Sequence, residues 1–172
     1  MIDIPIPKWL KLESYNTIIR NNFGNRGYAD GNKEEQYTGI LGQNVVLNYY
    51  NKPLVVGGGG FDGGVDLVLN DKRVDVKCMG RNGAVKEGYT NNFIAAQDNY
   101  NTDIYLFCSI NKKDSILTMC GWVTKDEFKD RRVFHEKGSL RFRKDGTAIK
   151  VRTDLYEIDN DELNDVFYLD SH

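Results

Sequence analysis

Asp66, Asp75 and Lys77 lie within the stretch GGGGFDGGVDLVLNDKRVDVKC, from Gly57 to Cys78. If its second half is a strand, alternation points Asp75 and Lys77 to one face and Val74, Val76 and Cys78 to the other. Asp66 begins the preceding apolar stretch. Should the two stretches pair as antiparallel strands, opposed side chains come within about 5 Å. Carboxylates that close repel each other unless a cation lies between them, and burying them uncompensated is costly. Mg²⁺ or Mn²⁺ would suit such a pair: Mg²⁺ takes oxygen ligands, keeps several waters and binds through one or two carboxylates plus a substrate phosphate. A lysine beside the ion could hold the attacking water and offset charge on phosphorus. The chemistry implied is metal-assisted phosphodiester hydrolysis, with no role required of His, Cys or Ser.

Elements must bring these groups together. Lys8 to Asn22 reads as a helix with an apolar stripe of Trp9, Leu12, Tyr15, Ile18 and Ile19. Phe23 to Lys33 reads as a Gly/Asn loop, and Glu34 to Asn51 as a second helix stopped by Pro53. Leu54 to Val56, Val65 to Leu69 and Arg73 to Cys78 are strand candidates, the last two joined by the tight connection Asn70-Asp71-Lys72. A loop from Met79 to Asn92 follows, and Phe93 to Ala96 suits a short strand or a helix entry. Asp103 to Ile110 is a continuous apolar run, expected as a buried strand, and Ser115 to Val123 is another. Thr124 and Glu127 form a capping-box pattern. Arg141 to Arg152 suits a basic hairpin, and Asp159 to Leu163 a short helix. The fold class expected is α/β with a central mixed sheet flanked by helices.

Acid-x-Lys is a common pattern, and Glu127-Phe128-Lys129 also fits it. That second copy follows a capping box, where residues two apart on a helix diverge. Only Asp75-Val76-Lys77 has strand flanks, a preceding acid and a glycine-rich approach. With these features the stretch resembles the PD-(D/E)XK nuclease superfamily, also called restriction-endonuclease-like. The shared pattern is an acid, a spacer near ten residues, and acid-x-Lys on the next strand; here eight residues separate Asp66 from Asp75.

The resemblance implies a core of helix, three-stranded meander, helix and strand, spanning about Glu34 to Val123, with a strand-rich C-terminal addition in one domain over residues 1–172. It implies a Mg²⁺- or Mn²⁺-dependent deoxyribonuclease, an endonuclease, with Asp66 and Asp75 as ligands, the Val76 carbonyl as a third and Lys77 positioning the water. Val65 stands where the family's namesake proline would be, and Gly42-Gln43 stands where many members carry a helix glutamate. Gln43 is therefore expected to support the metal shell without adding charge. Glu35 on the same helix could substitute, but it points about 80° away from Gln43 on an ideal helix. Gln97 could match a glutamine that some relatives carry after the lysine, and it equally suits the surface of a turn. The glycines around Phe61-Asp62 suit a flexible rim, with Asp62 a minor candidate near the ion.

The formal net charge of -2 conceals a segregated distribution. Lys125 to Arg152 holds ten Lys/Arg against five Asp/Glu, whereas Thr153 to His172 holds seven acids and no Lys or Arg. A basic surface that meets phosphate is one consequence; an acidic tail folded back to neutralise the basic segment is the other. Arg81 and Lys86 in the loop after the acid-x-Lys strand, with Arg131, Arg132, Lys137, Arg141, Arg143 and Lys144, are the nucleic-acid-binding candidates. His135 and His172 are expected to be incidental.

The three cysteines lack the paired spacing of a zinc site and suit a reduced core. No apolar run is long enough for a membrane span, and the N-terminus does not read as a signal peptide. A soluble, cytoplasmic protein of a bacterial or phage-infected cell is expected, with DNA as partner and a homodimer to cut both strands. Two other classes fit the residues: a catalytically inactive nuclease-fold module that binds nucleic acid, and a protein-interaction or inhibitor domain.

Overall fold

The computed structural model describes residues 1–21, 32–56, 63–143 and 146–171. It is mixed α/β. Strand β1 (Ile2–Pro5) leads into helix α1 (Lys8–Arg20), and α2 (Lys33–Tyr49) follows. Strands β2 (Leu67–Leu69), β3 (Lys72–Arg81), β4 (Thr90–Ile94), β5 (Ile104–Asn111) and β6 (Ile116–Thr124) come next. Five strands form one mixed sheet in the order β1-β6-β5-β3-β2, in which β3 and β5 run parallel and the other neighbours antiparallel. Among the described residues no helix is long and apolar enough to cross a membrane.

The β2–β3 hairpin turns on Asn70 and Asp71, both at positive φ (46° and 63°). Leu69 pairs with Lys72 across it. Two consecutive left-handed residues match the right-handed twist of the strands, which suits Asn and Asp. Strand β5 is buried along its whole length, as its unbroken apolar run predicts.

A bidentate pair locks the start of the parallel ladder. The Arg73 guanidinium donates to both oxygens of Asp103, at 2.8 and 2.5 Å, and the Arg73 backbone N–H donates to the same carboxylate. These hydrogen bonds draw the Asp103 carboxyl down to about 2, from a usual 3.8. A carboxylate held low in the folded state stabilises above its unfolded value and loses that contribution as pH falls through the folded one. The urea midpoint is therefore expected to drop between about pH 4 and about pH 2, and Asp103→Asn is expected to flatten this drop. An identical acid limb in Asp103→Asn would remove the pair from the explanation.

Helices α1 and α2 cover one face of the sheet. There Leu10, Leu41, Val45 and Val46 pack on Val74, Val76, Leu106, Leu117 and Met119. Gly42 lets α2 approach β3 closely, since a Cβ there would lie 2.5 Å from Cys78 Cβ. The expected stripe of α1 is corrected in part: α1 buries Leu10, Ser14, Thr17 and Ile18, whereas Trp9, Leu12, Tyr15 and Ile19 are exposed. Polar contacts select the face. Asn44 Nδ2 donates to Ser14 Oγ at 3.0 Å, and Thr17 Oγ1 donates to the Val55 carbonyl at 3.3 Å. Leu54 to Val56 is not a strand either, because Val55 N–H is bound by Asn44 Oδ1 at 2.9 Å and not by a neighbouring strand.

The other face is covered by a second apolar group of Phe93, Tyr105, Phe107, Val123, Phe128 and Ile158. Helix α3 (Lys125–Arg131) begins at the Thr124/Glu127 capping box and inserts Phe128 there. The lid over this face is a three-stranded sheet, β4-β10-β7, made with β7 (Val133–His135) and β10 (Leu155–Asp159). The basic hairpin forms from β8 (Leu140–Phe142) and β9 (Ala148–Lys150).

Two expectations of the nuclease-like layout are corrected. With Leu54 to Val56 outside the sheet, the three-stranded meander is the β2–β3 hairpin alone. The helix expected after it is a strand, β4, and one 3₁₀ turn at Ala95–Gln97. Asn91 and Phe93 are buried in alternation with less buried neighbours, and that two-residue period favours a strand. The same pairing shortens the expected loop from Met79 to Asn92, since β3 runs on to Arg81 and β4 starts at Thr90.

Candidate active site

Asp75 and Lys77 lie on the face of β3 turned to the aromatic group, level with Tyr105 and Phe107 of β5. The Lys77 ammonium sits 2.7 Å from Asp75 Oδ2 and donates to Gln97 Oε1 at 2.8 Å. It also stands 5.1 Å from the centroid of the Phe93 ring, a favourable place for a cation over a π face. The Asp75 side chain is 4% exposed and that of Lys77 16%, so the pair is largely withdrawn from water. The 3₁₀ turn after β4 presents Gln97.

Asp66 lies just before β2 and holds both neighbours of Asp75. Its N–H donates to the Val74 carbonyl at 2.9 Å, and its Oδ2 accepts the Val76 N–H at 2.6 Å. The first acid is thus seated across the hairpin from the second. Val76 itself is buried on the helix-covered face.

Tyr105 adds a group that sequence reasoning missed. It is wholly buried, and among the described residues its hydroxyl has no hydrogen-bond partner. Burial raises its pKa, and the charges of Asp75 and Asp98 act the same way. The signal was a tyrosine inside an otherwise apolar buried run, where its hydroxyl needs a partner. An unsatisfied buried hydroxyl costs about 1–3 kcal/mol. Tyr105→Phe is therefore expected to raise stability by about 1 kcal/mol, read as a higher urea midpoint; a lower midpoint would mean that the hydroxyl is bonded.

The remaining candidates are distributed as follows. Gln43 sits on α2 beside Gly42, which packs on Cys78 of the opposite β3 face, and no hydrogen bond joins it to Asp66, Asp75 or Lys77. The glutamine bonded to Lys77 is Gln97. Glu35 closes the α2 capping box with Asn32 at 2.8 Å. Asp62 and Lys144 lie outside the described residues.

Four of the basic candidates make contacts within their own chain. Arg81 is half-buried, donating to Ser109 Oγ at 3.1 Å and the Thr90 carbonyl at 2.8 Å. Arg131 pairs with Glu127 at 2.7 Å and Arg132 with Asp98 at 2.6 Å. Arg141 pairs with Glu157 at 2.5 Å, and Glu157 also meets His135 at 3.0 Å. The acidic tail therefore does fold back on the basic segment, as β10 beside β7. Lys86, Lys137 and Arg143 are exposed.

Among the described residues no cluster of three or more His, Cys, Asp or Glu side chains is present. An all-protein metal cage is thus not formed there. The donor chemistry of Asp66, Asp75 and the neighbouring amide and carbonyl oxygens nevertheless fits a hard divalent ion, which needs only one or two carboxylates when phosphate and water complete its shell. No family model, curated relative or solved structure matches the chain.

Proposed function

We propose that this chain is a divalent-cation-dependent deoxyribonuclease that cuts phosphodiester bonds internally. The observation that supports this reading most strongly is the Lys77 ammonium held between the Asp75 carboxylate, at 2.7 Å, and Gln97 Oε1, at 2.8 Å, one strand from Asp66. Stability alone gives little reason for it, because a buried ion pair is often no better than apolar packing of the same volume.

Asp66 and Asp75 would hold Mg²⁺ or Mn²⁺, with the Val76 carbonyl as a further oxygen. When bound, such an ion polarises phosphate oxygens and acidifies water. The other roles belong to the chain. An ammonium has three donors; two of those of Lys77 are directed at Asp75 and Gln97. The third can hold a water or a phosphate oxygen at the point of attack. Gln97 fixes the lysine rotamer, and Phe93 backs the ammonium with a dry wall. Two copies related by a two-fold axis would place one such site on each strand of a duplex.

Titration with Mn²⁺ by calorimetry tests this reading. One binding event that is lost in Asp66→Asn is expected. Heat indistinguishable from dilution in the native chain, with and without DNA, would instead favour a nuclease-like module without catalysis.

A further inference from the structure

Across the small sheet, Phe93 of β4 pairs with Tyr156 of β10, and Tyr156 pairs with Phe134 of β7. The three rings form one row, with Phe134 5.4 Å from Tyr156 between centroids. The row starts at Lys77, which stands over Phe93. Its burial falls outward: Phe93 is 1% exposed and Phe134 52%. Strands lie about 4.8 Å apart, so the edge ring is about 10 Å from Phe93 across the sheet.

Arg132 braces the row. The Arg132 guanidinium lies 3.6 Å from the centroid of the Tyr156 ring and pairs at 2.6 Å with Asp98, the residue after Gln97. Arg132 thereby ties the edge of the small sheet to the turn that orients Lys77. Nearby in sequence, Lys137 and Arg143 are exposed, in the segment with the chain's local excess of positive charge.

A half-exposed aromatic ring at the end of a buried row, with the Arg132 guanidinium on the neighbouring ring and an ammonium one or two nucleotides' reach away, is an arrangement suited to an unpaired base. Base–aromatic stacking is tolerant of sequence, since every base has a π face. A base inside a duplex has both faces covered by its neighbours and cannot use such a ring.

We propose that Phe134 is a stacking platform for an unpaired base next to the phosphate at Lys77, so that the preferred DNA is single-stranded or locally melted. This rests on the nuclease reading for the position of the phosphate, but binding alone tests it. The measurement is fluorescence anisotropy in EDTA, with a labelled thymidine oligonucleotide of about 12 residues, within the site sizes of single-strand binders. A duplex of equal length is run beside it.

The native chain is expected to bind the single strand more tightly than the duplex. Phe134→Ala is expected to weaken single-strand binding about tenfold, in the range found for lost base stacking, and Phe134→Trp to retain it. Phe142→Ala, another exposed aromatic, 69% accessible on the β8–β9 hairpin, is expected to change nothing. Equal binding by the native chain and Phe134→Ala, or an equal loss for single strand and duplex, would overturn the proposal. A chain that cuts DNA but fails this test loses only the platform. A chain that binds through Phe134 but never cuts loses only the nuclease reading.

Discussion

Lys77→Met is expected to lose about 3–5 kcal/mol of folding stability, the cost of breaking a buried pair and leaving its partner charged. The size follows from burial: Asp75 is 4% exposed and Lys77 16%, so water reaches neither well. An exposed pair would contribute about 0–1 kcal/mol. The remedy should be specific. Adding Asp75→Asn to Lys77→Met removes the carboxylate charge as well, and the double variant is expected to recover to within about 2 kcal/mol of the native chain. Urea melts of the two single variants and the double variant give the coupling directly. If Lys77→Met melts at the native midpoint, the carboxylate of Asp75 does not depend on the lysine, and the site is assembled by other contacts.

Asp66→Asn is the second large effect, and it falls on chemistry. The amide keeps the shape of the side chain and one oxygen to accept the Val76 N–H, now bonded at 2.6 Å. Folding should therefore survive. A neutral amide, however, is a much poorer ligand than a carboxylate for a hard divalent ion. Loss of groups that merely support metal ligands already lowers affinity or activity by about 10–100-fold. Loss of a direct ligand is thus expected to lower cleavage by at least about a hundredfold, read as initial rates on plasmid DNA at fixed Mg²⁺. A fold intact by circular dichroism with native cleavage would remove Asp66 from the site.

Much of the sheet was legible along the chain because its signals are local. Asn70-Asp71 announces a hairpin, the run from Ile104 to Ile110 announces a buried strand, and Thr124 with Glu127 announces a helix start. What escaped was set by partners far away in sequence. The apolar side chains of α1 suggested a stripe through Trp9, Leu12 and Tyr15, yet Ser14 and Thr17 face inward because Asn44 and Val55 offer them hydrogen bonds. A polar residue that wins its place through one distant bond leaves no periodic trace.

The site divides the same way. Asp75 and Lys77 share a face by strand alternation alone, whereas the glutamine that meets them was ambiguous. Gln43 sat at the position suggested by resemblance, but Gln97 is the one bonded to Lys77, twenty residues downstream of it. Charge counting over Lys125 to Arg152 could not foresee that Arg132 and Arg141 would be taken up by Asp98 and Glu157. The positive segment is consequently less available to phosphate than its composition implies, and among the described residues its exposed basic side chains are Lys129, Lys137, Arg143, Lys150 and Arg152.

The most direct test is the conversion of supercoiled plasmid DNA by the native chain in EDTA, Mg²⁺ or Mn²⁺, with Asp66→Asn alongside. Nicked or linear product with either metal, none in EDTA, and at least about a hundredfold less from Asp66→Asn is the result predicted. Cutting that persists in EDTA or in the variant, or no cutting of supercoiled, linear or single-stranded DNA under either metal, would contradict a metal-dependent nuclease centred on Asp66, Asp75 and Lys77.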